Sequence, residues 1–102
     1  MFNLGNVTGT SYSATSDYRI KRDIKSLDDS YNIDKMRPVT YVNTKTNKFD
    51  SGFIAHELQE NYEYFVTGSK DGKQLQTVKY NGIIALLTHE IKQLKSALKS
   101  TI

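Results

Sequence analysis

The most regular hydrophobic pattern lies in the last part of the chain. Its apolar positions alternate at spacings of three and four residues: Ile84, Leu87, Ile91, Leu94 and Leu98. This spacing is typical of an amphipathic helix, and a seven-residue repeat with Ile at a and Leu at d is typical of a coiled coil. We therefore predict a C-terminal helix over 80–102 that pairs with other copies of the chain. A helix packed on its own domain is the alternative, since the repeat covers fewer than three heptads.

Shorter patterns upstream predict two β-hairpins. Residues 39–42 have the β-branched and aromatic composition of a strand, residues 43–47 form a polar turn, and Phe49 with residues 52–55 forms the partner strand. A second hairpin is predicted from residues 62–66 and 75–80. The Asp71-Gly72 pair between these strands tolerates the positive φ angles of tight turns.

Three further short elements complete the predicted fold. Tyr18 and Ile20 alternate as in a short strand, and a helix is predicted from the possible N-caps at residues 28–30 through Met36. It ends at Arg37, because a residue before proline avoids helical angles. Residues 56–61 fit another short helix. The predicted class is therefore α+β: a small globular part with β-hairpins and short helices, followed by a long C-terminal helix.

Composition narrows the classes of partner. The chain has 102 residues, 37% of them hydrophobic, and no cysteine. A core this lean without disulfides favours assembly with other subunits. The net charge of +3 is spread along the chain, whereas nucleic-acid binders concentrate basic residues on one face. No apolar run approaches the ~18 residues that would cross a bilayer. We expect no nucleic-acid partner and no membrane.

Histidine-based metal chemistry is also not expected. His56-Glu57 resembles the start of a zinc-protease helix, but the position of the second histidine holds Glu60. The chain has two histidines in all, His56 and His89, so a three-histidine site is impossible. We predict neither a metal nor a cofactor.

Residues 16–21 (SDYRIK) combine a potential nucleophile, Ser16, with a potential amine base, Lys21. A Ser–Lys pair performs acyl chemistry without histidine if the lysine is neutral when it accepts the hydroxyl proton. Burial or nearby like charge would neutralise it. The pair alone is a weak signal, because most serines and lysines at this spacing lie on solvated surface.

Four stretches in order carry a more specific signal: residues 16–21 (SDYRIK), 36–41 (MRPVTY), 52–58 (GFIAHEL) and 78–80 (VKY). This pattern resembles the intramolecular chaperone auto-processing domain, or peptidase S74 domain, found at the C-terminus of phage endosialidases, tail fibres and neck appendages. The resemblance covers about residues 16–98. It implies that residues 1–15 end an upstream fibre or leader and that 16–102 form the chaperone domain, with a globular part at 16–79 and a coiled-coil helix at 80–102.

The resemblance also implies a chemistry. Ser16 is expected to be the nucleophile and Lys21 its general base, with a cut between Thr15 and Ser16 and with Asp17 and Arg19 as possible supporting residues. The activity would be that of a single-turnover, self-cleaving serine endopeptidase. Either Arg19 or a backbone amide is a candidate to stabilise the oxyanion.

The implied assembly is a homotrimer that directs folding of the upstream fibre segment of the same polypeptide. It would act in the host cytoplasm during virion assembly and be released from the mature fibre after cleavage. Ile at a with Leu at d favours two strands in isolated coiled coils, whereas the resemblance implies three. A structural trimerisation cap that never cleaves, and a basic nucleic-acid-binding module, are the competing hypotheses.

The spacing of the proposed dyad sets a geometric condition. In one extended strand, Ser16 and Lys21 would lie on opposite faces with Cα atoms about 16 Å apart. A lysine side chain does not span that distance. Either the chain turns between the two residues, or the lysine comes from a neighbouring subunit.

Overall fold

The structure is a computed structural model that describes residues 14–101. In chain order the elements are a first 3₁₀ turn (Tyr18–Ile20), strands β1 (Val39–Asn43) and β2 (Lys48–Gly52), helix α1 (Ala55–Gln59), a second 3₁₀ turn (Glu63–Phe65), strands β3 (Val66–Thr67) and β4 (Thr77–Val78), and helix α2 (Tyr80–Thr101). The predicted α+β class, with small hairpins, short helices and a long C-terminal helix, is confirmed. Most of the predicted leader, residues 1–13, lies outside the described residues.

Strands β1 and β2 form the first hairpin, in which Val39 faces Gly52 and Asn43 faces Lys48. The Asn43 side chain accepts hydrogen bonds from the backbone amides of Lys45 and Thr46, at 2.9 and 3.3 Å. This local bonding favours a turn over further extension. The predicted hairpin is confirmed, although β2 ends at Gly52 and does not reach residue 55.

The second hairpin is shorter than its composition predicts. Strands β3 and β4 pair antiparallel over two residues each, with Val66 opposite Val78. Upstream of β3, the Phe65 amide donates to the Tyr62 carbonyl at 2.9 Å, which closes a 3₁₀ turn in place of a strand. Asp71 has a φ of 61°, as expected for the predicted turn.

The helix predicted to end at Met36 is wrong. Asp28 accepts hydrogen bonds from the Ser30 amide at 2.9 Å and the Ser30 hydroxyl at 2.5 Å, an Asx-type turn that competes with helix. Further along, the Ile33 amide donates to the carboxylate of Glu90 on α2, at 2.9 Å. The segment is therefore held by contacts with distant elements and not by its own helical hydrogen bonds.

The core lies where α1, the second 3₁₀ turn and the first turns of α2 meet. Its buried residues are Leu58, Tyr62, Phe65, Val66, Ile83 and Leu86. The Tyr62 hydroxyl donates to the Asn32 carbonyl at 2.9 Å and accepts from the Lys35 amide at 3.1 Å. One buried ring thus fixes the irregular segment onto the core and satisfies its own polar group.

The predicted heptad residues lie on a different face of α2 from the one that enters the core. They remain exposed: Ile84 59%, Leu87 39%, Ile91 57%, Leu94 61% and Leu98 56%. Ile84 follows buried Ile83 by one residue, a rotation of about 100° around a helix. The helix therefore packs on its own domain through the face that carries Ile83. The heptad stripe is a separate face and stays uncovered, which contradicts the alternative that this stripe packs on its own domain.

Gly82 is predicted to be required for the packing of α2. A Cβ atom at this position would lie 2.5 Å from Cε1 and 2.8 Å from Cδ1 of Phe65, which is buried. We expect Gly82→Ala to lower the free energy of unfolding by about 1–3 kcal/mol through overpacking, despite a gain of up to about 1 kcal/mol in helix propensity. Urea denaturation followed by circular dichroism measures this change.

Asn81→Ala is the matched control, because Asn81 is the exposed neighbour of Gly82 in the same helical turn. It should leave stability unchanged or raise it slightly. A Gly82→Ala chain as stable as Asn81→Ala would contradict the packing of Phe65 on α2.

Candidate active site

The side chains of Ser16 and Lys21 meet within one chain. The Lys21 Nζ atom donates a hydrogen bond to the Ser16 Oγ atom at 2.6 Å. The strand predicted for Tyr18 and Ile20 is wrong, because residues 18–20 form a 3₁₀ turn that shortens the path between the two side chains. Of the two arrangements that the spacing allows, the structure has the turn.

Asp17 is the residue that starts this turn. It adopts an extended conformation, with φ −67° and ψ 139°, and its Oδ1 atom accepts from the Arg19 amide at 2.8 Å, as an N-cap residue does. The Lys21 amide then donates to the Tyr18 carbonyl at 3.0 Å. Side-chain capping at one end and a backbone hydrogen bond at the other bring Lys21 back towards Ser16.

Arg19 adds an ion pair to the turn. Its Nε atom lies 2.9 Å from Asp17 Oδ1, and its Nη2 atom lies 3.1 Å from Asp17 Oδ2. These hydrogen bonds lower the pKa of Asp17 and raise that of Arg19. The guanidinium, considered above as an oxyanion stabiliser, here binds a carboxylate of its own turn through both of these nitrogens.

The segment that carries the dyad is open to solvent. Ser16 and Lys21 are both exposed, and so are the apolar side chains around them: Tyr18 75%, Ile20 65% and Ile24 72%. In this contact the Lys21 amine is the donor and the Ser16 hydroxyl is the acceptor, whereas a general base has to accept the hydroxyl proton.

Ala14, two residues before Ser16, lies close to the start of α2. Ala14 lines a cavity of about 980 Å³ whose other walls include Phe65, Tyr80 and Ile84. Thr15, on the acyl side of the predicted cleavage site, is exposed. The predicted scissile bond therefore lies outside the core, one residue after an alanine that lines a largely apolar cavity.

A second polar cluster joins two of the stretches that carry the family resemblance. Arg37 donates to both carboxylate oxygens of Glu57, at 2.9 Å from Nε and 2.7 Å from Nη2. The pair lines a cavity of about 230 Å³ next to Leu58. It lowers the pKa of Glu57. Glu57 is thus an ion-pair partner, and among residues 14–101 no group of acidic residues and histidines is arranged to hold a metal ion.

Sequence reasoning missed the Arg37–Glu57 pair, because its two residues lie in separate stretches of the chain. Arg37 precedes Pro38, which fixes the backbone there, and Glu57 lies in the first turn of the short helix after the first hairpin. Each stretch is recognisable separately, but periodicity does not show which side chains from distant stretches meet.

The structure contains no helix in residues 14–101 that has the length and hydropathy of a membrane span.

The chain was compared with known protein families. The family model described as chaperone of endosialidase, peptidase S74, matches residues 16–67, from Ser16 to the end of β3. The chain belongs to the chaperone of endosialidase family. The family name includes that of a peptidase, and the match begins at the serine of the Ser16–Lys21 contact.

This chaperone of endosialidase domain is also similar to a long tail fiber protein, Gp37, of Escherichia phage AR1. The two are 31% identical over 87 residues, which cover 76% of this chain and 8% of the phage protein. The chain therefore spans a small fraction of the length of the curated relative that it matches.

The Arg37–Glu57 pair predicts a pH dependence of stability. Because the pKa of Glu57 is lower in the folded chain than its ordinary value, the pair stabilises the fold above that ordinary value and is lost as pH falls through the lowered pKa. We expect wild type to be more stable than Glu57→Gln at pH 7 and to lose this advantage at acidic pH. Urea midpoints at both pH values measure it.

Glu60→Gln is the control for this comparison, because Glu60 lies just beyond α1 and forms no ion pair among the described residues. A Glu57→Gln chain whose midpoint differs from wild type by the same amount at every pH would contradict a role for the charged pair.

Proposed function

We propose that this domain is an intramolecular chaperone that trimerises, directs the folding of an upstream fibre segment and then releases itself by cleavage between Thr15 and Ser16. The contact of 2.6 Å between Lys21 Nζ and Ser16 Oγ is the observation that carries the proteolytic part. Family membership supports the chaperone role. The similarity to a phage long tail fiber protein supports a fibre as the segment that is folded.

The chemistry is an attack by Ser16 on the peptide bond that precedes it. An uncharged Lys21 amine takes the proton from Ser16 Oγ, and Oγ attacks the carbonyl carbon of Thr15. The bond from that carbon to the Ser16 nitrogen breaks, and the lysine ammonium returns the proton to the leaving nitrogen. Water then hydrolyses the ester, leaving a Thr15 carboxylate and a free Ser16. Because the reacting groups are neighbours in the chain, proximity supplies much of the rate.

We propose that desolvation of the Lys21 amine controls when cleavage occurs. In a single chain the two side chains are in contact but exposed, and the amine is the donor in that contact. Transfer of this segment into an apolar contact would disfavour the charged amine and release the proton. Cleavage then follows assembly and not merely folding of one chain.

Two exposed apolar surfaces support such an assembly. The stripe along α2 and the side chains of Tyr18, Ile20 and Ile24 are uncovered in one chain. Burial of one Leu or Ile side chain contributes about 1.5–3 kcal/mol, so covering several of them stabilises an oligomer. The second surface surrounds Lys21 in sequence, and its burial against another copy would desolvate the amine.

We propose three copies, with α2 forming a three-stranded coiled coil and the oligomer acting in the host cytoplasm while the virion assembles. The Ile-a, Leu-d pattern alone favours two strands. The family resemblance favours three, and contacts of the globular parts can override so short a zipper.

A structural cap that never cleaves is the second candidate. The solvent exposure of Ser16 and Lys21 favours it, because the proposed reaction requires the amine to be desolvated. The mass of the purified chain separates the two candidates, since a cut before Ser16 produces a fragment of defined mass.

Removal of either member of the dyad is predicted to stop cleavage. Ser16→Ala removes the nucleophile and Lys21→Ala removes the base, while both residues lie outside the core, so assembly should persist. Intact-mass measurement reports cleavage, and size-exclusion chromatography with light scattering reports the number of copies. Lys25→Ala, which removes a nearby exposed amine, is the control and should cleave normally. A cleaved Ser16→Ala chain would refute the dyad.

Charge on the α2 stripe is predicted to weaken assembly and, through it, cleavage. Ile91→Asp with Leu94→Asp places two carboxylates at a and d positions, where burial is unfavourable. The matched control is Gln93→Asp with Ser96→Asp, which adds the same charge at exposed positions outside the heptad stripe. Light scattering and intact mass are measured together. Full processing of a monomeric Ile91→Asp, Leu94→Asp chain would show that assembly does not control the reaction.

A further inference from the structure

We propose that Arg19 is a positioning residue for Lys21: by binding both carboxylate oxygens of Asp17, its guanidinium keeps that carboxylate from pairing with the lysine amine. This inference rests on the proposed function, since it concerns the base of that reaction. Arg19 itself touches neither Ser16 nor the scissile bond among its observed hydrogen bonds. It acts through Asp17.

The geometry of the turn places Asp17 within range of Lys21. The two residues are the N-cap and C-cap of the same 3₁₀ turn. The Lys21 amine already reaches the side chain of Ser16, which is the chain neighbour of Asp17. In the structure the carboxylate binds Arg19 instead, at 2.9 and 3.1 Å, and the amine binds Ser16 at 2.6 Å. The Lys21 amine could pair with either Asp17 or Ser16, and in the structure it contacts Ser16.

The charged neighbours of Lys21 on its own segment are few. Beyond Asp17 and Arg19 they are Arg22 and Asp23, which form a loose pair at 3.8 Å with side chains 95% and 85% exposed. Water screens so exposed a pair. Within residues 14–101, Ser16 is the side chain to which the Lys21 amine donates, and no salt bridge joins Lys21 to another element. Asp17 is thus the carboxylate whose pairing decides the environment of the amine.

A released Asp17 carboxylate would harm the reaction in two ways. It would stabilise the protonated amine, because an opposite charge favours the charged form. It would also draw the amine away from Ser16 Oγ. Neither effect requires the turn to open, since the Asp17 cap is made to the backbone amide of Arg19 and not to its side chain. A charge role and a purely structural role therefore predict different outcomes.

The decisive comparison is between Arg19→Gln and the double variant Asp17→Asn, Arg19→Gln, each in the full chain. We expect Arg19→Gln to slow cleavage about two- to fivefold at pH 7, the size of one exposed ion pair, and to move the pH–rate profile to higher pH. The double variant removes the released carboxylate while asparagine keeps the cap, so it should recover most of the rate. Arg22→Gln makes the same change of charge three residues away and should have little effect.

If the role of Arg19 were purely structural, adding Asp17→Asn would not recover the cleavage rate. The double variant would then be as slow as Arg19→Gln or slower. That result would overturn the inference, as would an Arg19→Gln chain with the wild-type rate and profile. Persistence of cleavage in Ser16→Ala would instead overturn the proposed function.

A second measurement does not depend on cleavage. In the Ser16→Ala background, brief acylation with acetic anhydride at pH 8 followed by mass spectrometry reports how much of each lysine amine is unprotonated. Labelling of Lys21 relative to Lys25 should fall when Arg19→Gln is added and return when Asp17→Asn is added as well. Equal labelling in all three chains would overturn the inference, even if cleavage proceeds as proposed.

Discussion

The contact between Lys21 and Ser16 is the interaction on which the account of this domain depends. Six residues supply it: the Asp17 cap and the backbone hydrogen bond from Lys21 to Tyr18 fold the chain into a single 3₁₀ turn, and the amine reaches the hydroxyl at 2.6 Å. Because these bonds are local, the geometry needs no partner subunit. Solvation of the amine is a separate matter, since the side chain is exposed in one chain. In the proposed function, geometry is set within the chain and desolvation by assembly.

Helix α2 likewise has two distinct apolar faces, one in the core of its own domain and one exposed. Ile83 and Leu86 enter the core of their own domain, whereas Ile84 and Leu87 lie one residue further along and face away from it. A rotation of about 100° per residue is enough to keep the two apolar faces distinct. Gly82 lets the first turn of the helix approach the ring of Phe65. The domain can therefore complete its own core and still present an uncovered stripe for a second copy.

The long helix and the first hairpin were predictable because their signals are local. Alternating three- and four-residue spacing marked α2, and the turn composition around Asn43 marked the end of β1. The segment before Met36 was not predictable in this way, because its backbone is held by Glu90 and by the Tyr62 hydroxyl, which are distant in sequence. The same limit applies to the Arg37–Glu57 pair.

The contact between the two candidate residues could be anticipated from the sequence, but its arrangement could not. The pattern SDYRIK pointed to Ser16 and Lys21 as candidates, and their spacing required either a turn or a second subunit. Tyr18 and Ile20 alternate as strand residues do, yet the Asp17 cap favours a turn over extension. A three-residue turn is too short to produce a periodic pattern in the sequence. The structure was therefore needed to distinguish a turn within one chain from a lysine supplied by a second subunit.

The dependence of cleavage on chain concentration tests the central claim most directly. Purified, uncleaved chain is diluted in a series that crosses from oligomer to monomer by light scattering, and intact mass follows the appearance of the fragment that begins at Ser16. The account predicts that the rate per chain falls steeply where the oligomer dissociates, because the Ser16–Lys21 contact is then exposed to solvent. A rate per chain that is the same on both sides of that transition would contradict it.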